Sequence, residues 1–213
     1  MAKLPSSPSP SALRDLLPFQ EGELVVVRAG ALLWRIYSAG GPFPTRWNAF
    51  RRHGPVVTSR FDHHLPPPRV QERGILYSAD QIDTCVAEYF QDTRTIERHR
   101  RAPALVGFEL AQDLELLNLR GRWPTRAGGS MKINSGPRST ARAWSQSIFS
   151  AYPTVKGLLY ASSMHANAPA YALYERAQGA MPVRPMFHRP LSDPALLGPL
   201  ATASRKLGYR LFP

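Results

Sequence analysis

Cysteine is nearly absent from this chain of 213 residues. Cys85 stands alone, which excludes an intramolecular disulfide and leaves no thiolate pair for a metal. Long hydrophobic runs are missing too: no stretch of 18 apolar residues occurs, so nothing suits a membrane-spanning helix. The opening MAKLPSSPSPSALRDLLPFQEGE lacks the apolar core of a secretory leader, and the lone cysteine fits a reducing compartment. A cytoplasmic protein is expected. There is no G-x-x-x-x-G-K-[ST] loop, no G-x-G-x-x-G and no H-E-x-x-H. Acidic residues are scarce as well, with 15 Asp and Glu against 27 Lys and Arg, for a net charge of +12.

What is present is arginine, 23 residues against four lysines. Its planar fork suits phosphate and carboxylate, so the surplus implies an anionic partner or serves solubility. Nucleic-acid binding or RNA cleavage is the alternative function that such a charge raises. The basic run RTIERHRR at 94–101 is its best carrier, yet no recognition helix, RNP-like motif or interleaved aromatic series accompanies it. It reads as a solvated helix end, and no direct nucleic-acid binding is expected.

Residues 1–22 are rich in Ser and Pro and read as a loosely packed arm. The division expected is a partly flexible extension over 1–30 and a single catalytic domain over 31–213. Apolar runs at 24–28 and 31–37 predict two short strands. A Pro-rich stretch follows, without sustained period, and reads as an irregular binding loop. Ile75–Ser78 predicts a strand, and Asp80 a helix cap for 81–91. In that helix Ile82, Cys85, Val86, Tyr89 and Phe90 form one apolar stripe, with Glu88 off its centre. Further strands are expected at 104–110, 114–119, 157–162 and 170–176. Helices are expected after Ser135-Gly136-Pro137 and from Asp193-Pro194 to Gly208. Strands dominate and helices intersperse irregularly, which is an α+β pattern.

Arg35 interrupts the apolar run ALLWRIY, and an unpaired buried guanidinium is expensive. It requires a carboxylate or an anionic ligand, and Glu88 is one candidate partner. Asp62-His63-His64 lacks a matching fourth ligand, so no metal is expected. His53, His99, His165 and His188 are scattered and read as surface residues.

Taken in order, these pieces resemble the RES domain family, named for its Arg, Glu and Ser. The matching pieces are Trp34-Arg35, Arg60-Phe61-Asp62, Leu76-Tyr77-Ser78-Ala79, Ala87-Glu88 and Gly157-Leu158-Leu159-Tyr160-Ala161-Ser162. The resemblance spans about residues 31–190. Ala161 stands where the family has Pro, and Ser163 adjoins Ser162, so either serine could be the active one. TRWN at 45–48 and SRFD at 59–62 compete for one family element.

The resemblance implies an ADP-ribosyltransferase-like fold, two small facing β-sheets with flanking helices and a central NAD cleft. It also implies a toxin of a toxin–antitoxin pair that consumes NAD as substrate and passes ADP-ribose to a host protein, water or phosphate. The partner it implies is a cognate antitoxin, of helix-turn-helix type, that blocks the cleft. On this footing Glu88, Arg35 and Ser162 are the catalytic candidates. Arg35, Tyr77, Arg60 and Ser162 are the NAD-binding ones. Losing nicotinamide leaves the ribose oxocarbenium-like, as in glycoside hydrolysis, and a fixed carboxylate stabilises that cation.

Overall fold

The computed structural model describes residues 4–212; the rest of the N-terminal extension, residues 1–3, and Pro213 lie outside the described residues. The chain begins with α1 (Pro10–Arg14), β1 (Leu24–Val27), β2 (Leu32–Ser38), β3 (Arg51–Gly54), β4 (Arg69–Ala79) and α2 (Ile82–Tyr89). It continues through β5 (Thr95–Glu97), β6 (Pro103–Glu109), β7 (Leu114–Asn118), α3 (Trp123–Arg126) and α4 (Arg138–Ala151). The last elements are β8 (Gly157–Ala161), β9 (Pro169–Tyr174), β10 (Phe187–Pro190), α5 (Leu197–Leu207) and β11 (Arg210–Phe212). Among the described residues no helix is long and apolar enough to cross a membrane.

The main sheet runs β1-β7-β8-β9-β4-β2-β6-β10, with β3 on β4, and β5 and β11 form a separate parallel ribbon. Strands β6, β8 and β9 are buried almost throughout, so they carry continuous apolar runs instead of an alternating pattern. Gly157 opens β8 because a Cβ there would sit 2.6 Å from the Ala172 carbonyl oxygen of the neighbouring strand. The sheet cannot be flat. Laid flat, β1 and β2 would lie five strand spacings apart, about 24 Å, yet only residues 28–31 join them, a reach of about 17 Å. The two halves therefore curl toward each other, and Leu33, Val106 and Phe108 of one half pack in a single cluster with Leu116, Leu159 and Leu173 of the other.

The expected pair of facing sheets thus takes the form of one sheet whose halves meet at a single residue pair, Trp34 with Ala79. One edge of β4 is fully used by β9, from Ile75 to Ala79. On its other edge β2 joins at Ala79 and β3 at Ile75. Between those two points the strands part. Among the described residues the segment 76–78 has no paired strand on that side, and a cleft opens there.

Three expectations need correction. The N-terminal arm does not pack loosely: Leu4 and Leu13 are buried with Trp123, Trp144 and Tyr152. The Tyr152 hydroxyl donates to the Leu13 carbonyl at 2.6 Å, and the Trp144 indole donates to that of Pro5 at 3.0 Å. Ser and Pro composition concealed these anchors. Nor is the stretch before Ile75 wholly irregular, since β3 lies in it and β4 begins at Arg69. Asp80 also fails as a cap, because Gln81 holds that position without a side-chain hydrogen bond. The final helix follows the pattern expected: Asp193 caps the short turn leading into α5, and Gly208 ends it in the left-handed region, φ 65°.

Candidate active site

The cleft has a volume of about 650 Å³, well within the range of small-molecule sites. Arg35–Ser38 of β2 line one wall and Ile75 and Tyr77–Ala79 of β4 another. Helix α2 closes the space. It buries Val86, with Phe90 just after it, against Leu105, Leu200 and Ala203, and turns Thr84, Cys85, Glu88 and Tyr89 to the cleft. Off-stripe placement of Glu88 is thus a consequence of the helix having two occupied faces.

Glu88 is half-buried. Its Oε1 accepts a hydrogen bond of 2.6 Å from Ser162, which is itself fully buried. Burial raises the Glu88 pKa, while the Ser162 bond and the nearby Arg60 and Arg138 guanidinium groups oppose that rise. The serine is held by a tight turn. Its N–H donates to Ala168 at 2.9 Å, its carbonyl accepts from Asn167 at 3.0 Å, and Ala166 and Asn167 both have positive φ. One helical turn before Glu88, the Thr84 hydroxyl meets His165 Nδ1 at 2.9 Å. His165 therefore joins α2 to the serine turn, where a surface role was expected. Of the two serines, Ser162 meets the carboxylate from behind, and Ser163 lines the cleft. Ala161 uses its N–H to donate to the Asn134 side chain at 3.1 Å, a bond that the family's proline could not make.

Arg35 does not pair with Glu88. Its Nη1 donates to the carbonyls of Trp47 and Ala49, at 3.2 and 3.3 Å, and no carboxylate forms an ion pair with it among the described residues. Burial pushes its pKa down to about 10. Such a site gains from an anion. Arg60 lines the cleft and donates to the Gly136 carbonyl; burial lowers its pKa and Glu88 opposes that shift. Of the competing pieces at 45–48 and 59–62, it is the second that sends its arginine to the cleft. Tyr77 also lines it, its hydroxyl accepting from the Phe61 N–H at 3.3 Å, and burial raises its pKa.

Asp62 is fully buried and serves the wall. It accepts from Arg51 at 2.9 Å, from the Val56 N–H at 2.6 Å and from His64. Among the described residues no group of three or more His, Cys, Asp or Glu side chains could hold a metal ion.

Sequence reasoning missed Arg138, Tyr160, Arg100 and Arg101. All four line the cleft. Arg138 donates to the Gln91 side chain at 2.6 Å, and Gln91 donates to the Glu88 carbonyl at 2.8 Å, tying α4 to the end of α2. Tyr160 packs on Phe61, ring centroids 4.8 Å apart. Tyr160 lay within the strand motif at 157–162 and could have been chosen; Arg100 and Arg101 belong to the basic run 94–101, which gave no sign of reaching the cleft, and Arg138 carried no local signal. The run 94–101 is no helix end either, since it holds β5 and the turn after it.

The RES domain model matches residues 32–193. Among solved structures the chain is similar to one described as the crystal structure of the M. tuberculosis MbcT-MbcA toxin-antitoxin complex. The TM-score is 0.57 at 18% identity, covering 90% of this chain and 97% of that chain. At such identity the likeness is one of fold. No curated protein matches the chain.

Proposed function

We propose, from the premise that the chain belongs to the RES domain family, that it is the toxin of a toxin–antitoxin pair and splits the nicotinamide–ribose bond of NAD. One observation carries this reading: Glu88, half-buried and hydrogen-bonded by the buried Ser162, faces a cleft whose Arg35 pairs with no carboxylate among the described residues. The cleft's volume and its arginines fit a dinucleotide, and an anion at Arg35 would satisfy a guanidinium now held by two carbonyls.

Nicotinamide is cationic when attached and leaves neutral, so the step needs no general acid. Positive charge passes to the ribose C1′ and ring oxygen, and the Glu88 carboxylate stabilises it more than it stabilises the bound substrate. Ser162 acts as a positioning residue, fixing one carboxylate oxygen. Arg35 and Arg60 hold the pyrophosphate, with Arg supplying geometry as well as charge. Tyr77 stacks on the departing ring. ADP-ribose then goes to a protein side chain, water or phosphate. The fold likeness to a toxin that was solved with its antitoxin supports a cognate antitoxin as partner, one that blocks this cleft in the cytoplasm.

Nicotinamide release from NAD, followed chromatographically, tests the reading. Glu88→Gln lowers the rate by about 10²–10³ while circular dichroism and melting show an intact fold. Full turnover by that variant would refute the assignment. Mass spectrometry of the ADP-ribose product in phosphate buffer and in cell extract identifies the acceptor.

A further inference from the structure

Six arginines line the cleft: Arg35, Arg51, Arg60, Arg100, Arg101 and Arg138. Four are engaged within it. Arg51 pairs with Asp62 and Arg138 with Gln91 and Asp92. Arg35 and Arg60, whose hydrogen bonds among the described residues go only to backbone carbonyls, are left for the two charges of a pyrophosphate. Two guanidinium groups remain, both exposed at the outer rim.

Arg100 has only a solvent-exposed contact with Glu97, at 3.5 Å. Arg101 has no side-chain hydrogen bond or ion pair among the described residues. Its backbone is nonetheless tightly fixed. Arg101 and Ala102 have φ of 65° and 45°, a conformation that non-glycine residues keep only when their surroundings enforce it. The enforcing bonds run from the Gly40 N–H to the Arg101 carbonyl at 3.0 Å and from the Ala39 N–H to that of Ala102 at 3.1 Å. The arginine stem lies over Gly41, where a Cβ would come within 3.0 Å of its Cγ. Two residues on, Phe43 is 87% exposed and also lines the cleft. A bare phenyl and an exposed guanidinium with a fixed backbone, lining the same cleft, are chemistry for an aromatic base with a phosphate next to it.

We propose that Phe43, Arg100 and Arg101 form a subsite for adenosine 2′-phosphate, so that the protein consumes NADP in preference to NAD. The phenyl stacks on adenine, and the two guanidinium groups take the 2′-phosphate, which carries roughly −1.5 to −2 charges. This rests on the NAD-cleaving reading of the cleft.

Nicotinamide release from NADP and from NAD by the purified chain tests it. The expected kcat/KM is higher for NADP. Arg101→Ala lowers the NADP value by about 10–100-fold, the range for one charge-assisted contact, and moves the NAD value by about twofold or less. Turnover of NAD with none of NADP, or equal losses on both, would overturn the subsite and leave the NAD reading standing. Release from neither dinucleotide defeats the NAD reading. Calorimetry then judges the rim alone: adenosine 2′,5′-bisphosphate binding about tenfold or more tighter than 5′-AMP supports it, and equal affinity overturns it.

Discussion

Two carboxylates of this fold have opposite fates. Asp62 is fully buried and surrounded by Arg51, His64 and the Val56 N–H. Burial pushes its pKa up, but these partners outweigh that and hold it well below the usual carboxylate range. Glu88 is half-buried and receives one hydrogen bond, from Ser162, and its pKa is raised. The difference separates structure from function. A carboxylate whose hydrogen-bonding capacity is filled holds chain segments together. One that is fixed on one oxygen and open on the other is available to a ligand.

The largest effect expected from breaking this contrast is at Asp62. Asp62→Ala removes the shared acceptor and strands Arg51 and the Val56 N–H, destabilising the fold by about 3–5 kcal/mol. Urea denaturation measures that loss, and an unchanged midpoint would show that Asp62 is no keystone.

A smaller effect follows at Ser162. Ser162→Ala frees the Glu88 carboxylate and removes a bond that lowers its pKa. We expect about a tenfold loss in kcat, with the acidic limb of the pH–rate profile moved to higher pH. A rate loss with an unshifted limb would mean that the serine acts otherwise than through Glu88.

The smallest effect is on stability and has the opposite sign to that at Asp62. The folded pKa of Glu88 lies above its ordinary value of 4.5, so the folded state binds this proton more readily than the unfolded one. Ionising it costs stability, progressively as pH rises from about 4.5 through the folded value. Glu88→Gln removes that cost, so the variant melts above the wild type at pH 7, and the two converge below about pH 4.5. A variant that melts lower at pH 7 would show that the carboxylate supports the fold.

Much of this was legible in the chain itself. Helix α2 and its two faces followed from the spacing of Ile82, Cys85, Val86, Tyr89 and Phe90. Strands β8 and β9 were visible as short apolar runs, and Gly208 as a helix end. Arg35 was conspicuous because a cation in an apolar strand demands an explanation. The partner of that cation was not legible, since carbonyls of Trp47 and Ala49 leave no trace in sequence. Leu4 and Leu13 were hidden for a similar reason: a few apolar anchors among Ser and Pro look like an arm until Trp144 and Tyr152 are seen beneath them. Arg100 and Arg101 reach the cleft from the turn after β5 and Arg138 from the start of α4, and no periodicity announces such convergence.

The sequence by itself determined the types of element, the α+β mixture and the order of short motifs that marks the RES family. Each of these depends on neighbours within about ten residues or on residue order alone. Only the tertiary structure decided that β2 and β3 share one edge of β4 and leave a gap between them, that Ser162 meets Glu88 while Ser163 faces the cleft, and that Arg35 bonds to the Trp47 and Ala49 carbonyls. Those outcomes depend on which distant segments occupy the hydrogen-bonding groups of a given strand or side chain, and that competition is settled when the sheet curls and closes.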